Sequence, residues 1–115
     1  MNMMFELREY NVTPKIEERN EINITLTGDE IRYNNQIISD EDKIKSIVNL
    51  LENYKNDILS LNQDKLDNYK GGRQMLLRVK FEDNNVLCLI GNTPSSEMAN
   101  LYSKIRNEIV EIIEQ

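Results

Sequence analysis

The chain has 115 residues, 39% hydrophobic and 30% charged, with a formal net charge of −6 and a sequence pI near 4.7. Residues 1–115 are expected to form a single domain around one shared core, and the apolar content excludes a disordered chain. The acidity argues against direct nucleic-acid binding and against anionic membrane surfaces, because Lys43, Lys45, Lys55, Lys65, Lys70, Arg73, Arg78 and Lys80 are scattered among acids and form no basic patch.

Over about residues 3–12, Phe5 and Leu7 alternate with Glu6, Arg8 and Tyr10, which predicts a first strand closed by Pro14. In INITLTG, Ile22, Ile24 and Leu26 alternate with Asn23, Thr25 and Thr27. Gly28-Asp29 then supplies a turn, so a hairpin is expected across Gly28. Asn34-Asn35 marks a second turn before a short strand at QII.

Ser39 followed by Asp42 fits a capping arrangement for a helix over about residues 40–60, with acids in its first turn where the helix dipole favours them. Ile44, Ile47, Val48, Leu51, Tyr54, Ile58 and Leu59 recur at helical spacing along it. The polar stretch NQDKLDNYKGGR reads as a connection.

From Gln74 the period returns to two, with Met75, Leu77, Val79 and Phe81 on one face. A two-residue turn at Asn84-Asn85 would pair Phe81 with Cys88 and Val79 with Ile90, placing all four in the core. Thr93-Pro94-Ser95-Ser96 opens a last helix, whose stripe is Met98, Leu101, Tyr102, Ile105, Ile109, Ile112 and Ile113. The order is β-ββ-α-ββ-α. It predicts an α+β two-layer sandwich, a mostly antiparallel sheet with both amphipathic helices on one face. The hairpin-plus-helix unit occurs twice, over about residues 21–60 and 74–115, as in a loose duplication without a shared residue motif.

With no histidine in the sequence, the usual general base and the commonest metal ligand are both missing. No carboxylate spacing matches a calcium loop, and no catalytic residue, metal or cofactor is expected. The single cysteine, Cys88, allows no intrachain disulfide and reads as a small core hydrophobe between Leu87 and Leu89. The opening MNMMFELREY carries Glu6, Arg8 and Glu9 where a signal peptide would run apolar, and no stretch approaches the roughly 20 apolar residues of a membrane span. A cytoplasmic protein that binds no membrane is expected.

Two segments suit an anion. Lys70-Gly71-Gly72-Arg73 joins permissive backbone to two cations, and Thr93, Ser95 and Ser96 stand at a helix N-terminus. Neither matches a phosphate-loop fingerprint, and a turn plus a helix cap accounts for both. The second face of the last hairpin is more informative. The expected pairing turns Leu76, Leu87 and Leu89 outward beside Arg78, Lys80 and Glu82, an apolar patch with a charged rim that marks either an association surface or a place over which the N-terminal segment or residues 61–73 fold.

These readings lead to a non-enzymatic interaction protein, a homo-oligomer that binds another protein through the open sheet face. A phage or mobile-element inhibitor of a host system is one concrete form, suggested by small size, acidity and an Asn-, Ile-, Lys- and Glu-rich composition. The alternative is a binder of a small anionic ligand, such as a nucleotide signal, between the Gly71–Arg73 loop and the Ser95-Ser96 helix start.

Overall fold

A computed structural model describes residues 3–12, 21–61, 72–91 and 96–115. Its elements in chain order are β1 (Met4–Val12), β2 (Glu21–Thr27), β3 (Glu30–Tyr33), β4 (Gln36–Ile38), α1 (Glu41–Ser60), β5 (Gly72–Lys80), β6 (Val86–Gly91) and α2 (Ser96–Glu114). The six strands form one sheet in the order β4-β3-β2-β1-β5-β6, with every neighbouring pair antiparallel. This is the expected α+β fold with the expected element order. The shortest extent of the molecule is 19 Å, one sheet and one layer of helices thick.

Strand β1 is the hub because it pairs along nearly its whole length with both β2 and β5. One core row runs Ile38, Ile31, Leu26, Phe5, Val79, Leu87, and the next runs Tyr33, Ile24, Leu7, Leu77, Leu89. Leu7, Ile24, Leu77, Val79 and Leu89 are fully buried. Burying a side chain of this size is worth roughly 1.5–3 kcal/mol, so these two rows anchor the sheet to its helical cover.

Both N-terminal turns need left-handed backbone. Thr27 pairs with Glu30 across Gly28-Asp29, where Gly28 has φ 63°, and Tyr33 pairs with Gln36 across Asn34-Asn35, where Asn34 has φ 54°. Glycine and asparagine adopt that region most readily. Asn34 also ties the turn to β2, its N–H donating to the Asn23 carbonyl at 2.7 Å and its side-chain oxygen accepting the Asn23 N–H at 3.0 Å.

The helices lie together on the core face. Asp40, not Ser39, caps α1, its Oδ1 accepting the Asp42 and Lys43 N–H groups at 2.9 and 3.3 Å. Ile44, Ile47, Val48, Leu51 and Ile58 are buried as expected, whereas Leu59 is 56% exposed because it lies about 100° around the helix from Ile58. Helix α2 buries Met98, Tyr102, Ile105, Ile109 and Ile113. The helices run antiparallel. Lys43 in the first turn of α1 donates to the carbonyls of Ile113 and Gln115 at 2.9 Å each, and Tyr54 further along donates to Glu108 at 2.6 Å. Lys43 thereby satisfies carbonyls that a helix end leaves without partners.

The last hairpin departs from the expected register. The Phe81 N–H donates to the Asn85 carbonyl and the Asn84 N–H to the Phe81 carbonyl, both at 2.9 Å, with Asn84 at φ 69°. This is a three-residue loop, a tight turn followed by a left-handed residue. Asp83 secures it by accepting from the Asn85 N–H at 3.0 Å. Phe81 therefore faces Asn85, and Cys88 lies opposite Arg78, not Phe81. The shift is odd-numbered, so every β6 side chain changes face. Leu87 and Leu89 enter the core at 6% and 0% exposure, while Val86, Cys88 and Ile90 turn to the open face.

Candidate functional site

Alternation in β1, β2 and β5 fixes the composition of the open face. Its central row runs Ile37, Arg32, Thr25, Glu6, Arg78, Cys88, and the row beside it runs Asn23, Arg8, Leu76, Ile90. Asn23, Thr25 and Thr27 lie on this face as the sequence predicts, as do Leu76, Arg78 and Lys80. Leu87 and Leu89, expected here, are core residues, and the register shift described above is the reason.

Side chains that the sequence reading did not place here define the apolar part. Met4 and Val86 are each 41% exposed, and Ile37 is 56% exposed at the β4 edge. A shallow groove of about 290 Å³ runs between Met4 and Val86, bordered by Glu6, Thr25, Thr27, Arg78 and Lys80. Met4 follows from the β1 alternation, since it shares parity with Glu6 and Arg8. Val86 and Ile90 do not, because they depend on the turn that sets the β6 register.

The charges on this face are partly paired off. Glu6 lies 3.6 Å from Arg8, and Glu30 accepts from Arg32 at 3.0 Å. Among the described residues, Arg78 and Lys80 have no carboxylate in ion-pair distance. Burial pushes the Cys88 thiol above its ordinary range, with Arg78 pulling weakly the other way. Cys88 is half-buried beside that guanidinium, not a core residue between two leucines.

A second cluster lies under α2. Glu9 shares the parity of Phe5 and Leu7, so β1 carries a carboxylate to the helix-covered face between Ile22 and Met75. Arg106 Nη1 donates to both of its oxygens, at 2.9 and 2.6 Å, and the two side chains are only 19% and 13% exposed. The Tyr102 hydroxyl reaches Glu9 Oε2 at 3.3 Å and the Arg8 carbonyl at 3.4 Å. A charged residue in phase with the apolar side of β1 was the legible signal, and its partner 97 positions later was not. The cluster joins a strand to a helix, and hydrogen bonds within it account for it structurally.

The anion-binding expectation falls largely outside the described residues, which do not include Lys70, Gly71, Thr93 or Ser95. Gly72 and Arg73 stand in β5 opposite Val12 and Asn11, and Ser96 is the first residue of α2. Met75 pairs with Gly91, so β5 begins and β6 ends at the same end of the sheet. Among the described residues, no three His, Cys, Asp or Glu side chains converge as metal ligands, and no helix is long and apolar enough to cross a membrane. Comparison of the chain with models of protein families, with characterised proteins and with solved structures finds no match.

Proposed function

We propose that this protein is a non-enzymatic interaction module that meets another protein, or a second copy of itself, through the open face of its sheet. The observation that supports this reading is the strip of exposed Met4 and Val86 beside Arg78 and Lys80, on the sheet face that carries no helix among the described residues. Exposed apolar side chains rimmed by charge are characteristic of association surfaces. An inhibitor of a host system, such as phages and mobile elements encode, is one form such a module takes.

Met4→Glu and Val86→Glu test the reading, because both positions are exposed and neither substitution opens a cavity. The variants should keep the wild-type circular dichroism spectrum and melting temperature. They should lose self-association in light scattering, or lose a partner retained by wild-type bait. Unchanged association in both variants would sink the proposal.

A second reading is a small anionic ligand held between the Gly71-Gly72-Arg73 segment and the Ser95-Ser96 helix start. Its support is that β5 begins and β6 ends at the same end of the sheet. It predicts thermal stabilisation by a nucleotide that Arg73→Ala removes, and no shift across a broad nucleotide panel would count against it.

A further inference from the structure

We infer that the groove between Met4 and Val86 receives an acidic segment of a partner protein, with partner carboxylates on Arg78 and Lys80 and an apolar side chain between Met4 and Val86; this rests on the open-face reading above. The argument starts from charge. The whole chain carries −6, yet at this groove Glu6 is already paired with Arg8, while Arg78 and Lys80 have no ion-pair partner among the described residues. Two such cations beside exposed apolar carbon select a partner that brings negative charge and an apolar anchor together. A basic segment would be repelled by both cations and would find Glu6, the carboxylate among the described residues lining the groove, engaged.

Size narrows the occupant. Small-molecule sites usually enclose about 300–1,000 Å³. This groove measures about 290 Å³ and opens widely to solvent, room for one or two side chains of a segment whose backbone lies across the face. The hydroxyls of Thr25 and Thr27 line the same groove and can hydrogen-bond the segment.

Single-stranded nucleic acid is the other anionic polymer, and the surface suits it poorly. Bases bind such faces by stacking on aromatic rings, and among the described residues lining this groove the aromatic side chain is Phe5, buried at 3% exposure. The overall negative charge of the chain also repels a phosphate backbone at long range.

The test uses the isotope-labelled full chain and short synthetic peptides that share one apolar spacing but carry Glu, Gln or Lys at their polar positions, together with a single-stranded oligonucleotide. The Glu peptide should shift the amide signals of Met4, Thr25, Thr27 and Val86 and bind about tenfold or more tighter than the Lys peptide, since charge complementarity sets partner choice. Its affinity should fall with added salt, which screens exposed charges beyond about 8 Å at physiological ionic strength. The Arg78→Glu, Lys80→Glu double variant should reverse the preference to the Lys peptide.

Equal binding of the Glu and Lys peptides at these amides would overturn the acidic-partner inference and leave the open-face reading standing. Shifts confined to α1 and α2 would sink both. Tighter binding of the oligonucleotide than of the Glu peptide would assign the face to nucleic acid and also overturn the inference.

Discussion

The Phe81 N–H donates to the Asn85 carbonyl at 2.9 Å, and this one bond sets which side chains of β6 reach the core. It is possible because Asn84, inside the loop, takes a left-handed conformation at φ 69° that a β-branched residue adopts only under strain. Asn84→Val should therefore lower the unfolding free energy by about 1–3 kcal/mol, while Asn84→Gly should stay near wild type. Urea denaturation of the three proteins checks this. Equal stability of the Val and Gly variants would mean that the loop does not depend on that backbone conformation.

The same register separates two β6 positions three residues apart in their response to truncation. Leu89 is fully buried, so Leu89→Ala should cost about 2–5 kcal/mol. Val86 is 41% exposed, so Val86→Ala should stay within about 0.5 kcal/mol of wild type. Chemical denaturation distinguishes the two, and comparable losses would mean that β6 presents its other face to the helices.

How far the sequence carried the structure depended on the range of the information needed. Alternation in β1, β2 and β5, and the helical stripes of α1 and α2, are local patterns, and they gave the element order and the two-layer fold. The face of β6 was not local. VLCLIG is apolar at every position before its glycine, so the strand reads equally well either way round, and the loop before it had to decide. Asp83-Asn84-Asn85 admits a two-residue or a three-residue turn. The Asp83 side chain selects the second, by accepting from the Asn85 N–H while Lys55 of α1 holds its other oxygen. That lysine contact is tertiary, which is why Leu87 and Leu89 were expected on the open face. Arg78 and Lys80 were legible because residues 77–81 alternate apolar and charged.

The Glu9–Arg106 pair should behave as one unit. Both side chains are mostly buried, so removing either one takes the ion-pair partner from a mostly buried charge. Glu9→Leu and Arg106→Met should each destabilise the protein, by up to about 3–5 kcal/mol, and the Glu9→Leu, Arg106→Met double variant should recover much of the loss because it buries no charge. A double-mutant cycle measured by thermal and urea unfolding gives the coupling. Additive losses would show that the two side chains stabilise the helix–sheet contact independently.

Tyr54 provides a pH signature for the helix–helix contact. Desolvation, the hydrogen bond to Glu108 and the nearby carboxylates raise its hydroxyl from an ordinary 10.0 to about 12. A folded-state value raised above the unfolded one contributes stability that is full below pH 10 and is lost as pH rises through about 12. The stability difference between wild type and Tyr54→Phe should be flat below pH 10 and shrink between pH 10 and 12. Absorbance titration of phenolate should show a late-titrating tyrosine that is missing in the variant. A difference independent of pH across that range would mean that Tyr54 does not rely on its bond to Glu108.

The most direct test of the open-face account is photo-crosslinking inside the host cell, with a benzophenone side chain placed at Thr27 on the open face or at exposed Asn49 on α1. The account predicts a discrete adduct from position 27, lost when Arg78 and Lys80 are both changed to Glu, and none from position 49. Adducts from position 49 with none from position 27 would contradict it and move the interaction surface to the helical layer.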